Sequence, residues 1–305
     1  MAIPVRPDKT LVKDQMQALQ AALNVWGKET FLAAMVWILA KQKEVFSGQA
    51  EEEIASVLVP FRFNRIQRDL DPKLAKNNLF VKPRQVGGTT YFTICRLLIP
   101  AITDYGIGSL LISQNSEYAE KHFRIIQRAY RYIGYQNPYG ADEENDFGLS
   151  LQQNALHIRS SNRRELIFDQ LESRVMIASA EVEESGQGVS LHNIVGSEYS
   201  RWPKDPAATL SNVRGALVPG GTVDLECTAN GAGGDFYKRC MRALNSPEES
   251  DAKIHFYEHF WMDEYQDKTL TDAQKDELEK DLTADEIRLI ARIHNELKEV
   301  AWTPR

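Results

Sequence analysis

Apolar and polar positions along the chain fall into two regimes. Over residues 1–60 apolar residues recur at roughly helical spacing, from Leu11 to Leu23 and from Phe31 to Phe46, and predict a helical N-terminal region. From about Arg62 short apolar runs alternate with longer amphipathic stretches, the pattern of a parallel sheet with crossover helices. Strands are expected at Asn78–Val81, Ser109–Ser113, Leu191–Gly196, Thr222–Thr228 and Lys253–Phe260. Helices are expected over Thr89–Ile99, where Pro100 should stop the run, and over Ser116–Tyr132, Ala207–Leu217 and Asp235–Leu244. Ala155–Ile158, Leu166–Phe168 and Arg174–Ala178 read as short strands of a β-rich insertion, and Asn137–Asp146 as a turn-rich loop. The charged stretch 266–300 reads as helical, with Thr271 and Gln274, and Thr283 and Glu286, spaced as capping boxes. The expected organisation is a helical region (1–60), an α/β core (61–245) and a small helical C-terminal subdomain (246–305). One feature of the pattern fits poorly. Asp224 and Glu226 alternate within Thr222–Thr228, so one face of that strand is partly polar, which is unusual for a central parallel strand.

Composition narrows the class of partner. The 305 residues are 43% apolar, ordinary for a globular protein, with 36 basic and 43 acidic side chains and a net charge of −7. A surface that coats nucleic acid all over would be basic, so any DNA contact must be a local patch or be built by assembly. Arg124, Arg128 and Arg131 share one predicted helix face, either as such a stripe or as an ordinary solvated face. Cys95, Cys227 and Cys240 have no C-x-x-C spacing and read as buried reduced thiols, and no Cys or His pair is spaced as a zinc site. The first residues, MAIPVRPDKT, carry no secretory signal pattern. The most apolar run, Phe31 to Ala40, is about half as long as a membrane span requires, so no membrane partner is expected.

The most informative segment runs from Leu79 to Thr90, with the core Lys82-Pro83-Arg84-Gln85-Val86-Gly87-Gly88-Thr89-Thr90. It reads as strand, tight loop, helix. Glycines at 87 and 88 let the backbone curl so that several N–H groups point at one anion, and the following helix aims its positive end at the same place. Against G-x-x-x-x-G-K-[ST] the loop departs twice: Lys82 stands at the first glycine, and Gly88 at the usual lysine. Lys82 can still reach the β- and γ-phosphates of ATP, Arg84 adds a second cation, and the Thr89 hydroxyl suits Mg²⁺. The plainer reading is a Gly-Gly turn with incidental basic neighbours.

Other segments decide between those readings. A P-loop ATPase needs a second strand, expected beside the first, that ends in acid. Leu191–Glu198 is an apolar strand closing on Glu198, the candidate for activating the attacking water, with Ser197 where an aspartate usually helps hold the metal. Past Thr222–Thr228, the residues Thr228 and Asn230 can bond a γ-phosphate or the water and pass the change to the next helix; an Asn-Gly turn is the plainer reading. Upstream, Gln67 carries an amide that can donate to and accept from an adenine edge at once, or simply begins a helix.

Together these elements resemble the ATPase motor of the large terminase subunit of tailed bacteriophages. K-P-R-Q-V-G-G-T-T looks like that family's deviant Walker A, Ser197-Glu198 its Walker B, and C-T-A-N-G with Gly233, Gly234 and Phe236 its coupling motif; Gln67 matches its adenine-binding glutamine. The resemblance covers residues 60–305 and implies a RecA/ASCE-like P-loop fold. It implies ATP and Mg²⁺ held by Gln67, Lys82, Arg84, Gln85, Val86, Gly87, Gly88, Thr89, Thr90 and Ser197, catalysis by Glu198 with Arg84, and coupling through Thr228 and Asn230. The implied partners are double-stranded DNA, a portal protein, a small terminase subunit and further copies in a ring on the procapsid, in the host cell cytoplasm.

Three departures stand out. Ser197 replaces the commoner aspartate. Gly186-Gln187-Gly188 replaces a G-R-G stretch whose arginine acts on a neighbour's ATP, leaving Arg84, Arg159, Arg163, Arg164 or Arg201 as substitutes. The sequence stops at Trp302-Thr303-Pro304-Arg305, about where a nuclease domain would begin, so a motor half without nuclease activity is expected. A helicase-like translocase, or a nucleotide-binding assembly module without turnover, would share the same site.

Overall fold

The computed structural model describes residues 9–41, 56–135, 146–182, 189–258 and 261–262, all within one compact unit. The expected loop at 137–145, the Gly186–Gly188 stretch and the C-terminal helices beyond residue 262 lie outside these residues. Helices α1 (Lys9–Trp26) and α2 (Lys28–Met35) lead into strands β1 (Trp37–Lys41) and β2 (Ser56–Pro60). Then come α3 (Arg65–Leu70), β3 (Asn77–Lys82), α4 (Gly88–Tyr91), a π-helical segment Phe92–Leu98, α5 (Ile99–Thr103), β4 (Gly108–Ser113), α6 (Ser116–Arg131) and α7 (Asp146–Gln153). The rest comprises β5 (Ile158–Ser161), β6 (Glu165–Phe168), β7 (Ser173–Ser179), β8 (Leu191–Ser197), α8 (Pro206–Arg214), β9 (Leu217–Thr228), α9 (Gly234–Asn245) and β10 (Lys253–Phe256).

The main sheet has the order β10-β3-β9-β8-β4-β7-β6-β5, parallel from β10 to β7 and closed by two antiparallel strands. This is an α/β fold with a mainly parallel sheet covered on both faces. One face packs Phe80, Leu111, Val175 and Val195 against Phe92 and Leu97 of the π segment and Phe123 and Ile126 of α6. The other packs Leu110, Ile194, Val223 and Leu225 against Leu210 and Val213 of α8 and Phe236 and Cys240 of α9. Local chemistry agrees with these elements. Asn115 caps α6 by accepting from Tyr118 N–H, and Asp205 caps α8 through Ala207 and Ala208, with Pro206 in the first turn. No helix among the described residues is long and apolar enough to cross a membrane.

Several expectations need correction. The N-terminal region is not helical throughout: α2 ends at Met35, and Trp37–Lys41 pairs antiparallel with Ser56–Pro60. A solid apolar run is consistent with either element, and here the extended pairing wins. Val12, Met16, Leu19, Phe31 and Leu32 are buried in the same cluster as the sheet, so these helices complete one face of the core. Pro100 does not end its helix. The backbone widens to π geometry just before it, Ile99 N–H bonding Ile94 C=O, and the run continues to Thr103 with Pro100 in the first turn of α5. Of the three short strands, the third (β7) belongs to the parallel sheet beside β4 rather than to an insertion.

The polar face of β9 is genuine. Side chains at alternate positions lie on one face. Val223, Leu225 and Cys227 fill the apolar core on the α8–α9 side. Asp224 and Glu226 are fully buried on the other side, toward the helix that follows β3. Asp224 receives a 2.7 Å ion pair from Arg96 of the π segment and a 2.6 Å hydrogen bond from the Asn78 amide. Asn78 Oδ1 in turn lies 2.9 Å from Nε2 of buried His255 on β10.

Removing one member of a buried ion pair leaves an uncompensated charge. Arg96→Met is therefore expected to cost about 3–5 kcal/mol in urea unfolding, and Arg96→Met with Asp224→Asn distinctly less. The His255 ring is held down to about 4, by burial first and then by Lys253 and Lys73. The unfolded chain would take up this proton near pH 6.5 while the folded chain resists it. Stability should therefore be full above about pH 6.5 and fall by about 2–3 kcal/mol on acidification toward pH 4. His255→Gln should flatten that part of the profile; an unchanged slope would remove His255 as its source.

Candidate active site

Parallel strands present their carboxyl ends at one edge of the sheet, where ligands of open α/β folds bind. β3, β8 and β9 end there at Lys82, Ser197 and Thr228. After Lys82 the chain turns through a loop in which Gln85 (φ 61°) and Gly87 (φ 72°) are left-handed, then enters α4 at Gly88. The loop is stapled from outside. Asn64 and Gln67 form a reciprocal capping box at the start of α3; the Asn64 amide donates to Val86 C=O and the Gln67 amide to Gly87 C=O, each at 2.9 Å. A Cβ on Gly87 would stand 2.8 Å from Gln67 Nε2.

The displaced lysine has a steric counterpart at position 88. A Cβ on Gly88 would meet Phe80 Cε1 at 2.6 Å and Lys82 Cδ at 2.8 Å. The Phe80 ring and the Lys82 stem together occupy the room that a side chain at 88 would need.

Around the Lys82 ammonium the site is acidic. Lys82 is 7% exposed; its Nζ lies 3.3 Å from Glu198 Oε1 and 3.1 Å from Glu226 Oε2. Glu226 Oε1 accepts hydrogen bonds from Ser197 Oγ (2.6 Å) and Thr89 Oγ1 (2.7 Å). Glu198, left-handed at φ 49°, accepts from Thr228 Oγ1 at 3.3 Å and pairs with Arg201 Nε at 3.4 Å. Burial pushes the Glu198 carboxyl up, but the Lys82 charge and hydrogen bonds from Lys82, Thr228 and Cys227 outweigh it, so its pKa is lowered. Burial likewise works against the charged form of Lys82, and Glu226 and Glu198 together outweigh it and raise its pKa.

The structure thus brings Lys82, Thr89, Ser197, Glu198 and Thr228 together. It does so with one change of layout: β8, the acidic strand, is not beside β3, because β9 lies between them. Gly88 and Val86 are buried within the loop, Thr90 is half-buried, and Arg84 and Gln85 are exposed. Of the two residues expected to couple, Asn230 is exposed beyond β9 and Thr228 is hydrogen-bonded to Glu198. Gln67 is 3% exposed with its amide on the loop backbone and its Oε1 accepting from Asn64 N–H, so its bonding here is to the chain rather than to a base edge. Of the arginines considered as substitutes for the finger, Arg201 reaches Glu198 within the same chain, and Arg159 faces Asp169 at 3.9 Å.

Sequence reasoning missed Glu226, which contacts Lys82, Thr89 and Ser197. The signal was present as the acid alternation in β9. Among the described residues no cluster of three or more His, Cys, Asp or Glu could hold a metal. The oxygen groups available are the Glu226 and Glu198 carboxylates and the Thr89 and Ser197 hydroxyls. Hard oxygens of this kind suit Mg²⁺, which takes one or two carboxylates and completes its shell with phosphates and water.

No protein-family model and no curated protein matches the chain. Solved structures similar to it include an ATPase-domain mutant of the Thermus phage P74-26 large terminase (16% identity, TM-score 0.42, 59% of this chain and 70% of that one). The bacteriophage HK97 large terminase is similar at 16% identity and TM-score 0.49, over 66% of this chain and 40% of that one. The Phi-28 gp11 DNA packaging motor is similar at 14% identity and TM-score 0.41, over 63% and 59%. The chain thus spans less than two thirds of the last two. The first two are of the family that the sequence motifs resemble.

The packing at position 88 is open to a direct check. Gly88→Ala should cost about 1–3 kcal/mol in denaturant unfolding, the usual scale of overpacking, and less in a Lys82→Ala background where the stem is gone. Equal costs in both backgrounds would mean that the Phe80 ring rather than the Lys82 stem sets the cost.

Proposed function

We propose that the chain binds ATP with Mg²⁺ at the carboxyl ends of β3, β8 and β9 and hydrolyses it. The observation that carries the reading is the meeting of Lys82, Glu198 and Thr228, delivered by different segments, through contacts of 3.3 Å each. In this structure the Glu226 and Glu198 carboxylates hold Lys82. Phosphate oxygens entering the loop compete for the same ammonium and gain the loop N–H groups as well. Glu198, kept ionised through the neutral range, is then released to orient and polarise a water against the γ-phosphate. Mg²⁺ would neutralise charge on the β- and γ-oxygens; Thr89 and Ser197 are the hydroxyls placed to hold it. Thr228 ties Glu198 to the segment entering α9, a route by which loss of the γ-phosphate can be felt beyond the site.

The wider reading follows the motif resemblance: the chain is the motor of a phage large terminase, moving double-stranded DNA into a procapsid. DNA would be gripped by its phosphate backbone, because a packaging motor must accept every sequence. Portal protein, small terminase subunit and further copies of the chain would complete the machine in the host cell cytoplasm.

Glu198→Gln should leave ATP binding intact and cut phosphate release by about 10²-fold or more, the scale for losing a positioned base. Turnover equal to wild type would remove Glu198 from the chemistry. Lys82→Ala should weaken ATP binding far more than Lys121→Ala on the exposed face of α6, and equal effects would mean that the loop is not the phosphate site. Stimulation of phosphate release by double-stranded DNA or portal protein tests the motor reading separately.

A further inference from the structure

We infer that Glu226 is the metal-holding carboxylate of this site, standing in from the neighbouring strand for the aspartate that Ser197 replaces. The inference rests on the ATP reading. It begins with register: Ser197 on β8 and Glu226 on β9 are direct partners in the sheet, on the face that carries Lys82 and Thr89. An acidic side chain one strand over therefore reaches the same place. Glu226 Oε1 is bonded to both hydroxyls, Ser197 and Thr89, that the sequence picks out as magnesium-holding.

The second observation is that Glu226 is incompletely satisfied. It is fully buried, and its Oε2, facing Lys82 Nζ at 3.1 Å, receives no well-directed hydrogen bond. Asp224, two residues earlier on the same face, is the internal comparison. It too is fully buried, and Arg96 and Asn78 satisfy it completely enough that it needs no ligand. A carboxylate kept for stability looks like Asp224. A buried carboxylate whose second oxygen is met by a lysine alone is left for another cation once phosphates take that lysine.

Charge gives the same answer. Glu226 and Glu198 share the Lys82 ammonium, and Glu198 also pairs with Arg201, whereas Lys82 is the cation paired with Glu226. When phosphates draw Lys82 away, Glu226 is left buried without a cation. A divalent ion carried in with the phosphates, bound directly or through a water, restores the balance, with Ser197 and Thr89 supplying the neighbouring hydroxyls.

The test measures how nucleotide binding depends on metal in the full chain, using a fluorescent ADP analogue titrated at fixed Mg²⁺ concentrations and in EDTA. Glu226→Gln should raise the Mg²⁺ concentration for half-maximal tightening by about tenfold or more. Ser197→Asp in the Glu226→Gln background should bring the midpoint back to within about threefold of wild type, since it restores a carboxylate at the same place; a structural role would not be rescued this way. Glu226→Asp keeps the charge, draws it back by one methylene and should raise the midpoint severalfold, which covers the case in which Glu226→Gln does not fold. An unchanged midpoint in Glu226→Gln or Glu226→Asp overturns the inference, as does a loss equal in EDTA and Mg²⁺ that Ser197→Asp fails to rescue. If the wild-type chain shows no saturable binding at any Mg²⁺ concentration, the ATP reading itself fails and takes this inference with it. Normal wild-type binding with indifferent Glu226 variants sinks only the inference.

Discussion

A lysine ammonium almost wholly removed from water is tolerated only beside carboxylates, and Lys82 is held between Glu226 and Glu198. The rest of the site follows from this arrangement. To bring the carboxylates to the lysine, β9 must run between β3 and β8 with Glu226 turned toward the loop, and Glu198 must leave β8 in a left-handed turn. Between the Phe80 ring and the lysine stem there is no room for a side chain at position 88. The departure from the usual phosphate-loop pattern is thus a coordinated change of lysine, glycine and acid rather than the loss of a part.

The polar face of β9 organises this neighbourhood in register. Asp224 anchors Arg96 on the helix that follows the loop, Glu226 gathers the loop lysine with the hydroxyls of Thr89 and Ser197, and Thr228 meets Glu198. One strand therefore sets the positions of the helix, the loop and the acid relative to one another. Burying two carboxylates in a central strand costs desolvation that an apolar pair would not.

Much of this was legible in the sequence, for local reasons. Gly87-Gly88 between an apolar strand and a helix can only be a tight turn at a helix start, and Glu198 directly follows an apolar run. What was not legible depends on contacts far apart in the chain. Glu226 acquires its meaning from Lys82, Thr89 and Ser197, which come from segments up to 144 residues away; seen alone, its alternation with Asp224 only made the strand look doubtful. The Gln67 amide has the same donor and acceptor whichever partner it meets, so sequence could not say that the Gly87 carbonyl would take it. The solid apolar run before Lys41 has no period to separate helix from strand, and a proline inside a helix can be absorbed by a widened turn when the surroundings are buried.

The central claim of the proposal is that a nucleotide's phosphates displace the carboxylates from Lys82. The most direct measurement is a crystal structure of the chain with Mg²⁺ and a non-hydrolysable ATP analogue. The account predicts phosphates within the loop Lys82–Thr90, Lys82 Nζ moved from Glu226 and Glu198 onto phosphate oxygens, and Glu198 facing a water beside the terminal phosphate. An analogue bound elsewhere, or bound with Lys82 still paired to both carboxylates, would contradict it.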